Sequence, residues 1–126
     1  VDLTGIRQAI ANNALSADGL DDAKHYEPEM VAGSPTFWVV VTGYEASAMG
    51  RNRWKVELEG KLQLLGTWDR SKSDAADRLV GLVWTAIEID GDLGGLACDV
   101  QVERVRFDSV DETGAMLVTY EIAVEA

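Results

Sequence analysis

Apolar positions along the chain follow two rhythms, one of period two and one of period 3.6, set in separate blocks. The clearest alternation spans residues 54–65. Trp54, Val56, Leu58, Leu62 and Leu64 face one side there, and Lys55, Glu57, Glu59, Lys61 and Gln63 face the other. That pattern predicts a strand with one buried and one solvated face, the habit of antiparallel sheets. Gly60 falls on the buried side, where it leaves room for a helix or a bulge to come close.

Residues 68–107 hold a loop, a helix, a glycine hinge and a long strand. Ser71 and Ser73 are candidate N-caps, with Asp74 and Asp77 expected in the first turn, where the helix dipole favours negative charge. Ala75, Leu79, Leu82, Val83, Ala86 and Ile87 form one stripe at helical spacing. The helix runs out into Asp90-Gly-Asp-Leu-Gly-Gly, whose glycines suit a sharp reversal. Cys98, Val100 and Val102 then alternate with Asp99, Gln101 and Glu103. Val105 and Phe107 are out of step with them, which predicts a bulge or bend near residues 103–104.

A first helix is expected over residues 2–17, with Leu3, Ile6, Ile10 and Leu15 in the core and Arg7, Gln8, Asn12 and Asn13 on the wet side. Asp18-Gly19 ends it. Residues 20–35 are irregular, with Pro28, Gly33 and Pro35 as breakers and space for a short strand at 24–26. The run 37–41, Phe-Trp-Val-Val-Val, is apolar on both faces. One face can meet the helices, and the other needs cover from elsewhere in the chain or from another subunit. Residues 44–53 read as a long loop carrying Tyr44, Met49, Arg51 and Arg53. Asp111-Glu112-Thr113-Gly114 supplies turn chemistry, and Met116, Val118, Tyr120, Ile122 and Val124 mark a last strand paired with the one before it. The sum is one α+β domain over residues 1–126: a largely antiparallel sheet of four to five strands with two helices packed on one face.

Composition narrows the function. With 126 residues a core can form without staples. The formal charge of −11 argues against gripping phosphate backbones. No apolar run approaches the roughly 20 residues that span a bilayer, and no charged-then-apolar leader opens the sequence, so the expectation is a soluble domain made inside the cell. A single cysteine excludes an internal disulfide framework.

Candidate chemistry is sparse. His25 is the only histidine and has no placeable partner, so it reads as a surface or turn residue. Cys98, in phase with Val100 and Val102, reads as a small core residue. Asp90 and Asp92 suggest a calcium loop, but the closing glutamate of an EF-hand is missing and a helix-ending turn explains them. No catalytic, cofactor-binding or metal-ligating residue is therefore assigned, and no enzyme activity is expected. Trp84 lies off the helical stripe beside Gly81; it either opens a docking surface or caps the core's edge. Trp68 carries the same pair of readings, with core-edge packing favoured. Glu57 and Glu59, with Glu103 and Glu121, would make an acidic sheet face: either a plain solvated surface or one that DNA passes without sticking.

The order and length of these elements resemble the tail-terminator proteins of long-tailed bacteriophages. The N-terminal helix, the proline-punctuated segment and the strands at 37–41 and 54–65 carry the resemblance. So do the helix Ser73-Asp-Ala-Ala-Asp-Arg-Leu-Val-Gly-Leu-Val, the turn and strand Asp92-Leu-Gly-Gly-Leu-Ala-Cys-Asp-Val-Gln-Val, and the final Met116-Leu-Val-Thr-Tyr-Glu-Ile. The resemblance implies a structural virion protein with no cofactor and no membrane contact. It implies a hexameric ring that caps the head-proximal end of the tail tube, ends tube growth and joins the tail tube protein to the head connector or stopper, with genomic DNA passing through. A ring needs two different patches on each subunit. Candidates are Trp38, Tyr44, Met49, Arg51, Arg53, Trp68 and Trp84, and the candidate lumen face is Glu57, Glu59, Glu103 and Glu121. Another neck or tail component, such as a head-completion protein or tube subunit, is the alternative, and a small-ligand-binding α+β domain the third reading.

Overall fold

The computed structural model describes residues 1–29, 35–48, 50–64, 70–108 and 115–126, with the backbone alone for 70–73. The chain forms α1 (Leu3–Ala14), β1 (Asp22–Lys24), β2 (Thr36–Ala46), β3 (Trp54–Leu64), α2 (Arg70–Glu88), a 3-10 turn (Leu93–Gly95), β4 (Asp99–Phe107) and β5 (Met116–Glu125). The five strands make one sheet in the order β1-β2-β3-β5-β4. Only β1–β2 is parallel; the other pairs are antiparallel. The class is α+β, as the rhythms predict.

β3 is the centre of the sheet and obeys its alternation from Val56 onward, with Trp54 at its start half-buried. Val56, Leu58, Gly60, Leu62 and Leu64 are all buried. Directly opposite on β5, Val124, Ile122, Tyr120 and Val118 continue the same face. Buried residues of both helices join them in one core cluster, including Ile6 and Ile10 from α1 and Val83 and Ile87 from α2. Gly60 does make room, but for an aromatic ring rather than a helix or bulge. A Cβ there would stand 2.7 Å from the Phe37 ring, which meets Tyr120 edge to face at 6.1 Å. The Tyr120 hydroxyl donates to the Val80 carbonyl of α2 at 2.7 Å, fastening helix to sheet.

Several expectations shift by a turn or less. α1 is shorter than residues 2–17, and Asp2 caps it by accepting from the Gly5 amide. Leu15 is exposed, and Ala11 and Ala14 are buried in its stead. Arg7 is half-buried instead of wet, donating to the His25 carbonyl at 2.8 Å. β1 lies two residues before the expected 24–26. α2 begins at Arg70, so Ser71 and Ser73 lie inside it and neither is the N-cap, while Asp74 and Asp77 lie beyond the first turn. Ala75 is exposed; Ala76 and Val80 complete the buried stripe with Leu79, Val83, Ala86 and Ile87. The expected turn at 111–114 lies outside the described residues, although β4 and β5 pair as a hairpin would.

The phase change in β4 is a bulge. Val102 faces Ile122 and Arg104 faces Glu121, leaving Glu103 as the extra residue. Before β4 the hinge holds three successive positive-φ residues, Leu93, Gly94 and Gly95. Leu93 accepts that conformation while 2 % exposed, so its burial in the core offsets a backbone shape that leucine rarely adopts.

Candidate functional site

The four candidate lumen glutamates converge on the sheet face opposite the core. On β3 and β5, Glu59 and Glu121 are directly paired, and Glu57 sits opposite Ala123. Glu103, the bulged residue of β4, joins them. All four glutamates line one groove of about 170 Å³, together with Thr42, Leu58, Ile122 and Ala123. Two of the carboxylates are answered by cations. Lys61 holds Glu59 at 3.1 Å, and Arg104 and Arg106 approach Glu121 at 3.5 and 3.9 Å. Glu57 and Glu103 have no ion pair among the described residues. Surface pairs of this kind contribute about 0–1 kcal/mol each, so the groove is an electrostatic feature more than a stabilising one.

The sequence pattern located the four carboxylates but not the arginines beside them. The signal was available: once β4 changes phase, Arg104 and Arg106 must join the face that Gln101 began. No three or more His, Cys, Asp or Glu side chains among the described residues are placed to hold a metal ion.

The loop expected at 44–53 is shorter than its sequence suggests. β2 continues to Ala46, and Ala46 pairs with Trp54 across the hairpin. Tyr44 is therefore a strand residue, 54 % exposed, and meets the Trp54 ring edge to face at 5.7 Å. The Ser47 amide donates to the Arg53 carbonyl at 2.9 Å to close the loop, and Asn52 takes the left-handed conformation at φ 60°. Arg51 and Arg53 are exposed at this tip. Met49 lies outside the described residues, as does Trp68.

Two tryptophans are placed differently from a docking surface. Trp38 is on the face away from the core yet only 7 % exposed. It belongs to the chain's own interior, with Thr36 and Thr119 also buried on that face. Trp84 is half-buried against the core. Its indole N–H donates to Glu88 Oε1 at 2.6 Å, and Glu88 Oε2 accepts the Val102 amide at 3.1 Å. Trp84 thus caps the core's edge and steadies a carboxylate that satisfies the free edge of β4.

Cys98 is exposed, not core, because β4 starts one residue later at the sheet's end. His25 packs edge to face on Tyr26. In the hinge, Asp92 accepts the Gly94 amide at 3.0 Å. Asp90 shares a side-chain hydrogen bond with Asp92, which raises its carboxyl above the usual value; desolvation and then the Asp92 charge push the same way. No helix among the described residues is long and apolar enough to cross a membrane. The chain matches no known family model and no curated protein.

Proposed function

We propose that this chain is a structural virion protein of a long-tailed bacteriophage, a tail terminator. It would form a hexameric ring on the head-proximal end of the tail tube, stop tube growth and receive the head connector or stopper. It would be made in the host cytoplasm and need no cofactor. The observation that carries the reading is a pair of unlike charged patches. A groove of four carboxylates spans β3, β5 and β4, and the β2–β3 hairpin tip presents Arg51 and Arg53. A closed ring is built by a heterologous contact between two unlike patches on each subunit, and this chain carries two. The carboxylate face turned toward the opening would let DNA slide, since the chain's formal charge of −11 opposes the phosphate contacts that release counterions. Support also comes from the order of elements, which follows the resemblance from the first helix to the last strand.

The test is cryo-electron microscopy of virions that contain the chain. A ring of this fold at the head-proximal end of the tail is the expected result. A place elsewhere in the neck or tube would replace the terminator role with the neighbouring one. Absence from the particle would overturn both.

A further inference from the structure

The geometry points to a specific contact between copies: the Arg51–Arg53 hairpin tip of one copy seats on Glu57 and Glu103 in the groove of the next. Four observations lead there. Both guanidiniums are exposed and form no ion pair among the described residues. Of the four groove carboxylates, Glu57 and Glu103 are the two left without a cation, while Lys61, Arg104 and Arg106 serve Glu59 and Glu121. The tip and the groove share β3, with Arg53 four residues before Glu57, roughly 13 Å at strand rise, and no ion pair among the described residues joins them. Finally, the whole chain carries −11.

The last fact selects the partner. Two copies with that charge repel in most orientations, so an encounter is favourable only where the basic tip of one meets bare carboxylates of the other. Complementary patches on a like-charged background fix register more than they add affinity. Tyr44, braced on Trp54 near the start of the same hairpin, adds an exposed aromatic, a residue type that anchors protein contacts. The two patches are unlike, so the contact is heterologous and propagates from copy to copy. This inference deepens the ring reading above and rests on it only for closure of the ring. Glu57 and Glu103 then lie where neighbours meet along the opening.

The experiment is sedimentation of the purified chain at physiological salt over a wide concentration range, with two charge-reversed variants, R51E/R53E and E57K/E103K. Each variant alone is expected to associate at least roughly tenfold more weakly than the unaltered chain. An equimolar mixture of the two restores association, because each basic patch again faces an acidic one. Should either reversal disturb folding, as read by circular dichroism, R51Q/R53Q and E57Q/E103Q serve in its place and weaken association by a smaller factor. Association untouched by the reversals overturns this contact and leaves the ring reading standing, to be judged on virions. An unaltered chain that stays monomeric throughout also overturns it.

Discussion

β3 shows two kinds of surface on one strand. Its core side is Val56, Leu58, Gly60, Leu62 and Leu64, all buried, and its outer side is Lys55, Glu57, Glu59, Lys61 and Gln63, partly or fully open. On the core side each position is fixed by the shape of its neighbours; Gly60 exists because Phe37 fills the space a methyl group would need. On the outer side, charge decides little about folding and much about what can approach. The same strand therefore separates the residues that hold the fold from those available for contacts.

Phe37→Ala should do the most damage to the first kind of surface. The ring is fully buried against Gly60 and Tyr120, and its loss should cost about 3–5 kcal/mol. That is a large part of the roughly 5–15 kcal/mol a domain commonly has. Gly60→Ala attacks the same contact from the other side by overpacking, at about 1–3 kcal/mol. Urea unfolding would measure both. The two should couple strongly: in a Phe37→Leu background the alanine at 60 should cost much less. Additive costs would mean that the fit between ring and glycine is not what fixes residue 60.

Trp38 tests where the division on the outer face stops. If that face were uniformly a solvated one, Trp38→Ala would change stability by less than about 0.5 kcal/mol. Its 7 % exposure, with Thr119 fully buried beside Lys61 on the same face, makes about 3 kcal/mol the expected loss. Glu57→Gln, at the open end of the same face, should stay within about 0.5 kcal/mol. Unfolding midpoints for the pair would show whether the outer face has a buried end and an open one.

These contrasts follow how much could be read from the chain. Period-two alternation fixed β3, β5 and their core faces because one buried side tolerates no slip in register. The phase break at Val105 announced the bulge at Glu103. Grouping the four glutamates required only those alternations. What failed depended on contacts between distant segments. Trp38 looked like a surface for a partner, since nothing local shows that the outer face is closed there. Trp84 could not be assigned until Glu88 and the Val102 amide stood beside it. Cys98 was in phase with a core strand but lies just before β4 begins, and phase alone does not say where a sheet ends. Tyr44 falls within the stretch that reads as a loop, yet pairing with β3 carries the strand through it.

Tyr120 offers a smaller, pH-dependent test on the core side. Tyr120→Phe removes the hydrogen bond to the Val80 carbonyl, which should cost about 1 kcal/mol at neutral pH. Burial raises the phenol well above its ordinary value of 10.0. The protonated form is thus the one the fold favours. Its contribution is complete below pH 10 and is lost as pH rises beyond that toward the folded value. The unaltered chain should therefore lose stability above pH 10 more steeply than the phenylalanine variant. Equal slopes in alkaline unfolding curves would show that the hydroxyl is open to solvent.

The smallest effect is expected outside both sides of β3, in the hinge. Asp90 has a raised carboxyl because it shares a hydrogen bond with Asp92 and lies in that residue's field. A carboxyl raised in the folded state contributes stability while it is protonated, and the contribution is lost as pH rises through the folded value. At neutral pH the two charges oppose each other across the turn that presents Leu93 to the core. Asp90→Asn keeps a hydrogen-bonding side chain and removes that opposition, so the variant should be slightly more stable than the unaltered chain at pH 7. Below the carboxylate range the difference should vanish or reverse. A stability difference that stays constant from pH 3 to pH 7 would mean that the side chain acts through the shape of the turn and not through its charge.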